Sequence, residues 1–138
     1  MKSVKYLILF FIATASLLSV SCKKDNKCEA GSGGSLILLA KLKHHGAVII
    51  NDSLRPDTVW IKYNVQDWSG APSGADAMFI GEYPEDHVHI SGLKCGDYYL
   101  YASGWDTSSP GGEVVRGGRP YSTEQTSGEI PVDIAVTE

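Results

Sequence analysis

His87 and His89 are the residues whose type and spacing come nearest to a chemical motif in this chain. On a strand, positions two apart share a face at about 7 Å. A His-x-His pair so placed can hold Zn²⁺, Cu²⁺ or iron if a third ligand arrives from elsewhere. Glu85 and Asp86 stand beside the pair, and His44-His45 offers two more imidazoles from a loop. No fixed ligand spacing specifies a metal here, so an exposed polar strand face is the plainer expectation. Asp106, Thr107 and Glu113 have the oxygen chemistry for Ca²⁺ at a spacing that fits no calcium loop. Gly111-Gly112 and Gly117-Gly118 lack the Lys-Ser/Thr ending and the following helix of a phosphate loop. They are expected to form turns around a short strand.

A second group of residues is aromatic. Trp60 alternates onto the outer face of one predicted strand, and Tyr99 with Tyr101 onto that of another. If those strands are neighbours, three rings share a surface, which Trp105 and Tyr121 extend from either side of the Gly-rich stretch 103–122. Exposed rings stack on sugars or anchor a protein partner. The same rings can instead pair across strands and merely stabilise a sheet. No Ser or Cys nucleophile stands in a recognisable elbow. The expectation is a non-catalytic module without a cofactor, and the alternative is a metal-binding or metalloenzyme sandwich using His87 and His89.

The elements that must position these groups are strands. Ser35–Lys43 places Leu36, Leu38, Ala40 and Leu42 on one face, and Asp57–Val65 does the same with Val59, Ile61, Tyr63 and Val65. Short strands are expected at 48–50, 77–82, 87–91 and 113–116, with a loop at 70–74. A longer strand over 97–103 alternates Tyr98, Leu100 and Ala102 against Tyr99, Tyr101 and Ser103. The last, Glu129–Thr137, carries Ile130, Val132, Ile134 and Val136 on one face, and Pro131 confines it to an edge or sits at a position free of ladder bonds. Recurrent period-two alternation with frequent turn signals and no helical stripe predicts an all-β fold. Seven or eight strands of this kind make a Greek-key β-sandwich, immunoglobulin-like or prealbumin-like, over residues 35–138.

The run Leu93-Lys94-Cys95-Gly96-Asp97-Tyr98 matches the tyrosine corner of such sandwiches, in which the phenol bonds backbone across a turn. The longer stretch from His89 to Ala102 resembles one found in prealbumin-like and carboxypeptidase-regulatory-like domains. That resemblance implies an accessory β-sandwich of a Bacteroidetes surface lipoprotein, with a structural, adhesive or binding role. His-x-His near tyrosines also resembles the iron site of intradiol dioxygenases. Here, however, the pair precedes the Gly-x-Tyr turn instead of following it, and no Arg-Pro stands before the first His.

Residues 1–21 read as an address. Lys2 and Lys5 precede the uncharged run Tyr6–Ser21, which ends in small residues immediately before Cys22. A spanning anchor needs about 20 predominantly apolar residues, and Thr14, Ser16, Ser19 and Ser21 dilute this shorter run. The pattern resembles a bacterial lipoprotein signal, with Ser19 at the position where Leu is usual. It implies lipid on Cys22, anchorage in the outer membrane, and a flexible lipidated tether over 22–34. With Cys22 lipidated, Cys28 and Cys95 remain, and a disulfide between them is expected, the alternative being two separate thiols. The whole chain of 138 residues carries a formal charge of −4. Loss of residues 1–21 removes Lys2 and Lys5, leaving ten basic residues against sixteen acidic and a charge of −6. An acidic balance excludes an electrostatically driven nucleic-acid binder. The expected partners are the membrane, through the lipid, and a glycan or surface protein.

Overall fold

The computed structural model describes residues 28–70 and 72–138. The expected signal peptide, the expected lipidation at Cys22 and the expected tether up to Lys27 lie outside these residues. Eight strands follow in order: β1 (Ser32–His44), β2 (Ala47–Val48), β3 (Thr58–Tyr63), β4 (Ala77–Ile80), β5 (Val88–Leu93), β6 (Gly96–Asp106), β7 (Glu113–Thr123) and β8 (Ser127–Val136). They build two four-stranded sheets packed as a sandwich, as the alternation predicts. In one sheet β8 runs parallel to β1 along ten register pairs, from Ser35↔Ser127 to His44↔Val136. β5 and then the two-residue β2 pair antiparallel with the other edge of β1. The second sheet is antiparallel throughout, in the order β4-β3-β6-β7. The chain changes sheet between β2 and β3, β4 and β5, β5 and β6, and β7 and β8.

Alternation decides what is buried. Leu36, Leu38, Ala40 and Leu42 from β1 meet Val59 and Ile61 from β3, Tyr98, Leu100 and Ala102 from β6, and Val132, Ile134 and Val136 from β8. β8 is an edge strand bonded to β1, where Pro131 costs the sheet no ladder partner. Strand bounds depart from expectation at several elements, most instructively at β3 and β7. β3 stops at Tyr63, because Asn64 turns left-handed (φ 56°). Its side chain accepts from Ala30 N–H at 3.0 Å and donates to Ala30 C=O at 3.3 Å, holding the entering chain. β7 runs eleven residues, and Gly117-Gly118 lie within it. Gly118 sits opposite Tyr101, where a Cβ would stand 2.8 Å from the Tyr99 ring, so glycine here makes room for aromatic neighbours.

The chain enters the sandwich through three linked contacts. Cys28 and Cys95 form a disulfide, which resolves the cysteine alternatives in favour of a pair. Tyr98, fully buried, donates its hydroxyl proton to Lys94 C=O at 2.5 Å and lies 3.3 Å from the Gly31 N–H, which donates to it. The tyrosine corner therefore forms as predicted and also fastens the strand that leads in from Cys28. Gly96 (φ 141°) passes so close to Ala30 that a Cβ would meet its nitrogen at 2.2 Å. The bridge spans 67 residues of sequence, which in the chain-entropy account is worth at most about 4 kcal/mol. Serine at both Cys28 and Cys95 is expected to lower unfolding free energy by up to that amount while keeping the fold. Denaturant midpoints of oxidised protein and variant measure it, and equal midpoints would refute the effect.

Candidate functional site

The outer face of the β4-β3-β6-β7 sheet carries the aromatic group. Register places Trp60 opposite Tyr101 on β6 and Met78 on β4, and Lys62 opposite Tyr99. The Trp60 and Tyr101 rings lie 6.1 Å apart, centre to centre. Trp68, from the loop after β3, meets both Tyr99 and Tyr101 edge-on at 6.3 and 6.2 Å. Trp105 continues the same row of β6, and the Arg55 guanidinium lies 3.7 Å over its ring, a cation–π contact. Around these half-buried rings, Met78, Ile80 and Val114 are exposed at 54%, 52% and 42%. Between Trp60 and Trp105 a shallow hollow of about 190 Å³ is lined also by Arg55, Thr58, Ser103 and Val114. That volume is of the size that admits a six-membered ring. Cross-strand pairing and an open surface are both present, so the two readings of these rings are not exclusive.

Tyr121 does not belong to this surface. It lies opposite Tyr98 in the β6–β7 ladder and packs on the core, the reverse of its expected placement. Period two settles the matter once β7 is known to continue through Gly117-Gly118. Conversely, Arg55 and Trp68 complete the surface from loops, where no alternation announced them. Lys62 is paired with Asp76 at 3.1 Å. The Tyr63 backbone N–H and this lysine hold the Asp76 carboxyl below its ordinary pKa.

His87 and His89 line a separate cleft of about 380 Å³ with Ile80, Glu82 and Glu85. Val88 and Ile90 are fully buried, as expected, and His89 faces solvent. His87 precedes β5 and sits partly shielded, with Nδ1 3.0 Å from Asp86 Oδ1. Asp86 also accepts from Lys41 at 2.6 Å, which depresses its pKa, with the His87 contact adding to the effect. Asn51, buried in the connection between β2 and β3, donates to Glu85 C=O and His87 C=O at 3.0 Å each and fixes this approach. The imidazole rings are 6.5 Å apart. Among the described residues, no third ligand comes close enough to share an ion with this pair. His44 and His45 belong to a different cluster.

That cluster closes the end of the sandwich remote from the disulfide. The alternation of β1, β6 and β7 runs one step beyond the apolar core, to His44, Asp106 and Glu113, while Asp57 and the exposed Glu138 continue it just outside β3 and β8. His44 is 3% exposed. Its Nδ1 lies 2.5 Å from Asp106 Oδ2 and its Nε2 3.0 Å from Glu138 Oε2. These carboxylates, Asp106 foremost, raise the pKa of His44 against the effect of burial. Asp106 accepts further bonds from Ser108 N–H (2.7 Å) and Ser108 Oγ–H (2.9 Å), and its pKa is lowered, chiefly by the backbone donor. His44, expected in a loop, is the last residue of β1, and Asp106 and Glu113, expected at most to offer oxygens to Ca²⁺, stand beside it. Extending the Leu36–Leu42 alternation by one step would have found His44.

Compared with known families, curated proteins and solved structures, the chain finds no match. No helix among the described residues is long and apolar enough to cross a membrane.

Asp57 contrasts with Asp106. It is 1% exposed and neither carboxylate oxygen has a hydrogen-bond partner of good geometry. Burial pushes its pKa from 3.8 up to about 6, the neighbouring Trp105 amide offsetting part of the rise. A raised folded-state pKa gives stability that is complete below the unfolded value and is lost as pH rises toward 6. Asp57→Asn removes that titration. Its stability relative to the parent is therefore expected to improve by about 1–2 kcal/mol between pH 4 and 7, after discounting for water access. Denaturant titrations at a series of pH values test this, and a pH-independent difference would contradict it.

Proposed function

We propose that this chain is a non-catalytic lipoprotein whose β-sandwich is an extracytoplasmic binding module for carbohydrate. Lipid on Cys22 anchors it in the outer membrane, at the cell surface or on the periplasmic face. The observation that carries the reading is the outer face of the β4-β3-β6-β7 sheet. There Tyr99, Tyr101 and Trp105 line β6, Trp60 stands beside Tyr101 on β3, and a ring-sized hollow lies between the two tryptophans. A sugar ring presents apolar C–H faces to stack on such rings and hydroxyl edges to bond a polar rim. Arg55, Thr58, Ser103 and Lys62 supply that rim. Trp60, Tyr99 and Tyr101 are held by one another and by Trp68, and Trp105 by Arg55, so little side-chain entropy is lost when a ligand settles on them. A surface protein is the other class of partner these rings could anchor.

Two measurements test the reading. On a glycan panel the protein is expected to bind at least one oligosaccharide. Trp60→Ala or Trp105→Ala should weaken that binding about 30-fold, the ~2 kcal/mol typical of a central aromatic contact. Near-native melting would accompany the loss. Absence of binding across the panel, or binding indifferent to both substitutions, would remove the carbohydrate assignment. For the anchor, Cys22→Ser is expected to shift the protein from the detergent-rich phase to the aqueous phase and abolish labelling by fatty acid. Unchanged labelling would remove lipidation at this residue.

A further inference from the structure

We propose that His44, His45 and Glu138 form a binding site for one divalent first-row transition ion, of the zinc class, at the pole of the sandwich remote from Cys28. The ligand atoms of these three residues lie within 4.8 Å of one another. His44 Nε2 and Glu138 Oε2 are 3.0 Å apart, and the two imidazole rings are 4.0 Å apart, centre to centre. Ligands at about 2.0–2.1 Å from a tetrahedral zinc stand roughly 3.4 Å from each other, so small side-chain rotations close the set.

Consecutive strand residues ordinarily point to opposite faces, and the hairpin overcomes this. His45 and Gly46 both have positive φ, 49° and 83°, the form of a two-residue turn that matches strand twist. The turn brings His45 back beside His44. On the other side of the His44 ring, Asp106 stands where it accepts a hydrogen bond from Nδ1–H, which leaves Nε2 as the atom to bind an ion once its own proton is lost. A carboxylate in that outer position is the usual support of a metal-binding histidine. Asp106 is suited to support, not ligation, because Ser108 N–H and Oγ–H already occupy its oxygens. Glu113, which also lies near this side of His44, is engaged by Ser109 Oγ at 2.8 Å. The Nε2 side is different in kind. Glu138 is 65% exposed and His45 faces solvent, so water can complete the coordination. The ion takes the place of the proton that Nε2 shares with Glu138, and that proton passes to solvent. Two nitrogens and one carboxylate oxygen suit Zn²⁺, Co²⁺, Ni²⁺ or Cu²⁺ above Mg²⁺ or Ca²⁺.

The inference is independent of the aromatic face. The full chain, stripped with chelator, would be titrated with Zn²⁺ by calorimetry and with Co²⁺ by visible absorption. We expect uptake of one ion per chain, with visible bands of low-coordinate Co²⁺. His45→Ala and Glu138→Gln, both at exposed positions, should each weaken Zn²⁺ at least tenfold with the β-sheet circular dichroism retained. His89→Ala should leave the affinity unchanged. No stoichiometric uptake by the folded parent, or uptake indifferent to His45→Ala and Glu138→Gln, would overturn the site. Loss of uptake in His89→Ala alone would also overturn it, moving the ion to the His87–His89 cleft.

Discussion

The structure is governed by strands that are longer than its apolar core. β1, β6 and β7 keep their two-residue period to the remote pole, the residues flanking β3 and β8 continue it, and His44, Asp57 and Asp106 are buried there as a result. A buried charge costs several kcal/mol unless it is paired and hydrogen-bonded. The fold meets that constraint in two ways. His44 and Asp106 bring their charges together, with Ser108 and Glu138 completing the bonding. Asp57 has no such partner and takes up a proton more readily instead. Two aspartates on adjoining strands thus have opposite pKa shifts, and the difference lies in their donors.

The same alternation explains what could be read from the sequence and what could not. Leu36–Leu42, Tyr98–Ala102 and Ile130–Val136 are apolar on every second residue, so their strands and core faces were legible. The tyrosine corner was legible because Leu93, Gly96 and Tyr98 stand at the required offsets, whereas counting cysteines left the Cys28–Cys95 bridge and two free thiols both open until the structure showed the bridge. Reading failed where residue type masked period. His44 and Asp106 continue an apolar row but are polar, so both strands seemed to end early. Gly117-Gly118 carry a turn's composition inside a strand, because the Tyr99 ring and the Ala135 carbonyl leave no room for a Cβ. Stopping β7 there hid the parity of Tyr121. Trp68 and Arg55 reach the aromatic face from loops, and only three-dimensional packing puts them there.

The two sheets divide the surface between them. One shows solvent the aromatic row with its basic and hydroxylated rim, while the other shows pairs such as Lys41–Asp86 and Lys43–Asp133. Such exposed pairs contribute little to stability, but they keep the second outer face polar. The asymmetry is a property of side-chain parity, since the inner faces of both sheets are alike in composition.

The clamp at the chain entry has a mechanical meaning. Because Cys95 is covalently joined to Cys28 and lies at the turn between β5 and β6, tension on the preceding segment enters the domain at that turn. The load bypasses the first residues of β1, which would otherwise be peeled from β5 and β8 one hydrogen bond at a time. It is shared at once between both sheets. A domain drawn from its amino-terminal side would therefore yield by shearing whole strands past each other, a far stiffer mode than unzipping, and its aromatic face would keep its shape while under strain.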